Sequence, residues 1–301
     1  MKKPNVFVNK INKDLKNNET VFTSFNDIGE RSIASLDSTS VRRKIKEIMD
    51  SPTYVYKADF IIKTVKGTFN INTGSLCDKN TDFNAASGRM SLEEIKKLFE
   101  NSPHEPAIHG LEHGFEEQQH NSHMAYNILE DKKNLEQLTG RIVRGMAYPF
   151  GSYNDRLADC LKACGIVYSR TVESSHCFAM PADWLRLNPT CHHSDPKVFE
   201  LCDSFFEDTK FNPKMFYLWG HSYEFDNNDG FNSWDHIENV ISKVSGHEDV
   251  WYATNIEIFD YTNAYNRLEV SADARMIHNP SAIEVFFAVG TWITEKTYSI
   301  K

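Results

Sequence analysis

A parallel α/β sheet or barrel is the fold class the sequence predicts, on three observations. Strand-like and helix-like segments alternate along the chain, each unit taking roughly 30 to 40 residues, as βα units do. The side chains with chemical potential stand just after strands, where barrels of parallel strands keep their active loops. No linker, internal repeat or low-complexity run interrupts the chain, so residues 1–301 read as one domain. Its core spans about 20–260, and further strands follow over 261–301.

The elements follow in order. Residues 20–25, Thr-Val-Phe-Thr-Ser-Phe, read as a buried strand ended by Asn26-Asp27-Ile28-Gly29. Residues 40–51 read as a polar helix with Val41, Ile45 and Ile48 on one side. A short strand over 68–72 closes at Thr73-Gly74-Ser75. Ser91 with Glu94 three residues on is a capping box that opens a helix over 91–99. Ala107-Ile108-His109-Gly110 is the next strand end. The clearest helix is 124–139, where Ala125, Ile128, Leu129, Leu135 and Leu138 recur at helical spacing and Gly140 stands at the C-terminal cap. A strand over 143–148 breaks at Pro149-Phe150-Gly151, and a helix over 155–163 stops at Gly165. Strands over 166–168 and 215–219, a helix over 234–245 and a strand over 251–254 complete the alternation. The end differs: 268–271 and 283–287 flank Asn279-Pro280-Ser281 and read as a β-hairpin-like extension.

Bulk chemistry narrows the function. Acidic residues outnumber basic ones, 42 to 33, for a net charge of -9. Such a chain repels a phosphate backbone, which argues against nucleic-acid binding and favours a neutral or cationic ligand such as an amino sugar. No apolar run reaches the ~18 residues of a membrane span. Met1-Lys2-Lys3 is followed by no leader-like apolar run, so the chain reads as cytoplasmic. In that setting the six cysteines read as free thiols, and with no CxxC pair they do not form a ribbon-type zinc site.

Four segments carry chemistry. His109 and His113, four apart in Ile108-His109-Gly110-Leu111-Glu112-His113, would share one face of a helical turn and could reach one metal. Alone, the pair reads more readily as two surface histidines. Asp27, after the first strand, offers a hard oxygen ligand or simply turn chemistry. Tyr148-Pro149-Phe150-Gly151 turns sharply after a strand and suits either a sugar-groove wall or a plain loop. His221 ends an aromatic strand and is placed for general acid work or for a structural role. A fifth cluster, Thr190-Cys191-His192-His193, reads as a loop of satisfied polar residues, with a contribution to the site or a second metal as the other reading.

In this order, the four segments resemble the polysaccharide deacetylases, the NodB-homology enzymes of carbohydrate esterase family 4. The similarity runs over about residues 21–257 and includes Lys66-Gly67-Thr68-Phe69-Asn70, Phe150-Gly151-Ser152-Tyr153-Asn154-Asp155 and Trp219-Gly220-His221-Ser222-Tyr223-Glu224. The resemblance implies a distorted (β/α) barrel and a metal-dependent hydrolase that removes acetyl or similar acyl groups from a carbohydrate. It implies one divalent metal on Asp27, His109 and His113. Zinc suits that donor set best, with nickel or cobalt as substitutes. It further implies His221 as general acid and Tyr148, Pro149, Phe150 and Gly151 as groove residues, with the Tyr148 amide for the oxyanion. Asp183 and Trp184 match an acidic and aromatic groove motif.

The chain departs from the family's pattern at four places. The family's base is the first of two adjacent aspartates, and here Asn26 stands there; an amide accepts no proton near neutral pH. Ala147 replaces an arginine that orients the base, and Gly110 replaces a serine or threonine. The stretch 29–66 is long, so Ser35-Leu36-Asp37-Ser38 offers a rival register for the first motif. Two other functions fit these departures: a glycan- or partner-binding relative without turnover, and a hydrolase of the same barrel acting on a non-sugar amide.

Overall fold

The computed structural model describes residues 65–76, 91–207, 213–227, 229–273, 275–291 and 294–300, with side chains to 286. The expected strand at 20–25 and helix at 40–51 lie outside the described residues, as do Asn26, Asp27 and Asp37.

Four short strands form the central sheet: β1 (Thr68–Ile71), β2 (Glu105–Ile108), β3 (Gly145–Ala147) and β4 (Tyr168–Arg170). Each pairs in parallel with the next, and β2 to β4 are buried along their whole length. Burial on both faces is what an α/β sheet imposes on its strands. The crossovers are α1 (Leu92–Phe99), α2 (Asn121–Thr139) and α3 (Asp155–Ala163).

The parallel order continues past β4. Leu187 bridges Arg170, and four residues later the same stretch begins β5 (Cys191–His192), which pairs in parallel with β6 (Leu218–Trp219). The stretch 187–192 therefore touches β4 at its start and β6 at its end. Strand order never reverses, the order of a (β/α) barrel rather than of a doubly wound sheet. Among the described residues the strands do not close into a complete ring.

Local signals explain the helix limits. At α1, Ser91 takes the Glu94 amide while Glu94 returns to the Ser91 amide at 2.7 Å, so two orphan donors are satisfied. α2 starts at Asn121, earlier than the expected 124, because His120 serves as its cap. It stops where Gly140 takes a left-handed conformation, φ 66°. Asn154 caps α3 by accepting the Leu157 amide at 2.9 Å. Ile95, Leu98, Ile128, Leu135, Leu157 and Leu161 seal the helices onto the sheet. A second core joins β5 to α4 (Val198–Phe206) and α5 (Trp234–Val244) through Cys191, Val198, Leu201, Cys202 and Val240.

Three expectations are corrected. The strand expected at 166–168 forms two residues later. Residues 251–254 form no strand; Thr254 instead forms a capping box with Glu257 for α6 (Asn255–Asn266). The terminal strands choose other partners. β7 (Glu269–Val270) pairs with β8 (Ile277–His278), because Ser271 and Asp273 accept the Arg275 amide and close a tight turn. β9 (Val285–Thr291) pairs with β10 (Thr294–Ile300), while Asn279 accepts the Ser281 amide in a local turn. α6 and β7 to β10 belong to a second compact unit, Ala253–Lys301.

The described cysteines, Cys160, Cys164, Cys177, Cys191 and Cys202, are free thiols as expected. No helix among the described residues is long and apolar enough to cross a membrane.

Candidate functional site at the carboxyl edge of the sheet

His109 follows β2 directly and is 2% exposed. Its Nδ1 lies 2.7 Å from the Ala147 carbonyl at the end of β3. A carbonyl only accepts, so Nδ1 carries the proton and Nε2 the lone pair. The chain then turns through Gly110 (φ 76°) and reaches His113 at φ 57°. The pair therefore sits in a loop, not on the helical turn its spacing suggested. The loop still brings the two rings edge to face, with centroids 4.7 Å apart.

Residues from two other elements hold this loop. Asn72, just after β1, donates to the Gly110 carbonyl at 2.7 Å, and the Gly74 amide donates to Leu111 at 2.9 Å. Asp131, fully buried on α2, accepts the Thr73 amide at 2.8 Å, the Thr73 hydroxyl at 2.6 Å and the His109 amide at 3.2 Å. Burial pushes its pKa up to about 6, against the pull of those hydrogen bonds. Sequence reading missed Asp131 as a site residue. Its signal was an acid on the apolar face of the helix, three residues after Ile128 and four before Leu135.

The Tyr148–Gly151 loop splits into two roles. Tyr148 is buried: its hydroxyl donates to the Leu185 carbonyl at 2.8 Å, and its ring stacks on Tyr153. Its amide donates to the Arg170 carbonyl at 3.0 Å, within the β3–β4 ladder. That amide is committed to the sheet, which corrects the expectation that it serves an oxyanion. Pro149 is buried as well. Phe150, by contrast, is 55% exposed with φ 57°. Its ring stacks on the half-exposed Phe115 at 4.5 Å and meets His113 at 4.4 Å. Gly151 (φ 71°) has no room for a side chain, since a Cβ would overlap Val172. Asp183 caps the turn that begins at Trp184 by accepting the Leu185 amide at 2.9 Å, and it pairs with Arg186.

The ends of β5 and β6 add a second group of imidazoles. His192 closes β5, His193 follows it, and His221 comes two residues after β6. All three meet Glu224, in the turn Ser222–Asn227. One Glu224 oxygen, Oε2, lies 2.8 Å from His193 Nε2, 3.2 Å from His192 Nε2 and 3.0 Å from the His221 amide. The other, Oε1, lies 3.3 Å from His221 Nδ1. Burial opposes the Glu224 charge, but hydrogen bonds from His192, His193 and His221 overturn it and hold the carboxyl far below its usual range. Burial lowers the His193 pKa despite that carboxylate. Gly220 is required here because a Cβ would overlap the His193 ring. Glu224 stood in the Trp219–Glu224 motif, but nothing local revealed its three partners.

These groups lie on strand-following segments at one edge of a parallel sheet, the arrangement of an α/β-barrel enzyme. Residues 62–169 match the profile of the polysaccharide deacetylases, the family that the motifs resemble. A search of the curated proteins gives no match. Among solved structures, the chain is similar to a Mycobacterium smegmatis protein assigned to the polysaccharide deacetylases, at 16% identity and a TM-score of 0.49, over 79% of this chain and 80% of that one. It is also similar to the Xyl-CE4 domain of a multidomain xylanase from the hindgut metagenome of Trinervitermes trinervoides, at 12% identity and a TM-score of 0.41, over 75% and 86% of the two chains. The Streptococcus pyogenes deacetylase PplD, solved with acetate, is 16% identical over 62% of this chain and 79% of its own, with a TM-score of 0.35. The likeness to that family is carried by the profile over 62–169, since all three scores fall below 0.5.

Proposed function

We propose that the protein is a metal-dependent hydrolase that removes acetyl groups from an acetylated amino sugar or a similar acylated carbohydrate. One observation carries the reading. The Ala147 carbonyl fixes His109 in the tautomer whose Nε2 can bind a metal, with the His113 ring 4.7 Å away. The two imidazoles fit a divalent ion, and Asp27, outside the described residues, completes the proposed ligand set. Zinc is the proposed ion, on two nitrogens and one oxygen. When bound, it supplies Lewis-acid polarisation of the acyl carbonyl and a lowered pKa for water.

The chain's own residues supply the rest of the reading. Phe150 and Phe115 offer a stacked apolar platform beside His113, suited to the face of a sugar ring. His221 protonates the leaving amine, with Glu224 steadying Nδ1 at 3.3 Å. Asn26 stands where the family's base belongs, so turnover on acetylated amino sugars is slow. That substitution also favours a second reading, a relative that binds a glycan without hydrolysing it.

The test combines metal analysis with acetate release from N-acetylated glucosamine oligomers. His109→Ala and His113→Ala should each lose one metal equivalent and the activity, and Asn26→Asp should raise the rate. Unchanged metal in both histidine variants overturns the ligand assignment. Metal without acetate release in either the natural protein or Asn26→Asp selects the binding reading.

A further inference from the structure

We propose that His192, His193 and Glu224 form a second divalent-cation site, separate from His109 and His113. The donor atoms of the three side chains lie within 4.8 Å of one another. A single carboxylate oxygen faces both Nε2 atoms, at 2.8 and 3.2 Å. Two imidazoles and one carboxylate give a borderline donor set of net charge −1, which suits zinc, cobalt or nickel and leaves room for an exchangeable ligand.

The fold holds each donor in place. His193 is 1% exposed, its ring lies over Gly220 and against Phe225, and its carbonyl accepts from His236 at 2.7 Å. The His221 amide fixes Glu224 at 3.0 Å. Ser194 Oγ lies 2.8 Å from His192 Nδ1, and a hydroxyl can donate or accept. It can therefore accept a hydrogen bond from Nδ1–H when Nε2 binds a metal, the outer partner that ligating histidines use.

Glu224 also links the site to His221, since one carboxylate oxygen faces the two ligand imidazoles and the other faces His221 Nδ1.

The experiment uses the full chain, stripped by a chelator and titrated with Zn²⁺ and with Co²⁺, read by elemental analysis and by Co²⁺ visible absorption. In a His109→Ala, His113→Ala background, one equivalent should remain. Adding His192→Gln or Glu224→Gln should remove it. Ser194→Ala, which leaves the ligands intact, should weaken the remaining site about 10- to 100-fold. Circular dichroism confirms that each variant folds, and Ser194→Ala keeps the test alive if a ligand variant does not. If the His109→Ala, His113→Ala protein binds nothing while the natural protein binds one ion, the second site is overturned and the first stands. If the natural protein binds one ion that His192→Gln removes and His109→Ala does not, the second site stands and the first falls. An ion held equally by the His109→Ala, His113→Ala protein with and without Glu224→Gln also overturns it.

Discussion

The two ends of the same parallel sheet are built on opposite plans. At the amino ends of the strands, polar groups answer one another. Glu105, first in β2, accepts from Thr68 of β1 at 2.9 Å and from the Tyr168 hydroxyl of β4 at 2.6 Å. That hydroxyl lies over Gly145, first in β3. Arg141 gathers the carbonyls of Phe99, Ser102 and His104 at 2.6 to 2.8 Å. At the carboxyl ends, hydrogen bonds instead orient imidazoles, the backbone takes left-handed turns at Gly110, His113, Phe150 and Gly151, and a pair of aromatic rings faces solvent. One end is closed with hydrogen bonds; the other uses them to aim side chains, and in the proposed function it carries the chemistry. Substitutions should therefore separate the two ends, activity falling at one and stability at the other.

The largest effect is expected at the carboxyl end. His221→Ala should lower kcat/KM on an acetylated amino sugar by about 10²- to 10⁴-fold, the share of a general acid. Its melting temperature should stay within a few degrees of the natural protein, because the side chain is only partly buried. A full rate, or a collapse in stability, would erase the contrast. Next comes the amino end. Gly145→Ala puts a Cβ into the Tyr168 hydroxyl, and the rigid ring cannot yield without breaking the Glu105 bond. Overpacking and a lost buried hydrogen bond together should cost about 3 kcal/mol in urea unfolding. The folded fraction should keep its normal activity.

Asp131 tests the connection between the ends, because α2 carries it under the His109 loop. Asp131→Ala strips partners from the Thr73 amide and hydroxyl, while the His109 amide keeps the Ile71 carbonyl at 3.1 Å. The cost should be about 2 kcal/mol, less than the two lost bonds alone suggest, because a buried charge goes too. Metal affinity at His109 should fall with it. Stability lost with affinity unchanged would show that the loop needs no support from α2.

What was legible in the sequence follows the range of each signal. The Ser91 and Glu94 capping box and the Gly140 stop are local, and the structure has them where the sequence puts them. The histidines at 109, 113 and 221 were visible because they stand in short motifs at strand ends. The contacts that give them tautomer and orientation were not. Ala147 lies 38 residues from His109, and Glu224 lies 31 from His193. Spacing also misled: an interval of four suggested a helical turn, yet positive φ at Gly110 and His113 makes a loop. The Tyr148 amide failed for a related reason, since only the β4 partner shows that it is already bonded. Asn26, Asp27 and the rival Asp37 fall outside the described residues and stand as proposals.

The smallest effect belongs to His104 at the closed end, and it has a sign. The ring is buried edge-on against Phe69, and Nδ1 accepts the Gly67 amide at 3.0 Å. That acceptance requires a lone pair on Nδ1, so the folded state holds the imidazole neutral. Burial first, and then the Arg141 charge, lower its pKa below the usual 6.5. The unfolded chain therefore binds a proton more readily than the folded one between those two values. Stability from this group is fully present above about pH 6.5 and is lost as pH falls through the folded pKa. The slope cannot exceed about 1.4 kcal/mol per pH unit, since one proton is involved. His104→Asn places a non-titrating oxygen near the Nδ1 position and keeps an acceptor for Gly67. Its unfolding free energy, measured in urea between pH 7 and pH 5, should fall less steeply than that of the natural protein, with activity at pH 7 unchanged. Equal slopes would mean that His104 does not titrate with unfolding. An activity loss at pH 7 would mean that the closed end reaches the chemistry, and the division between the two ends would fail.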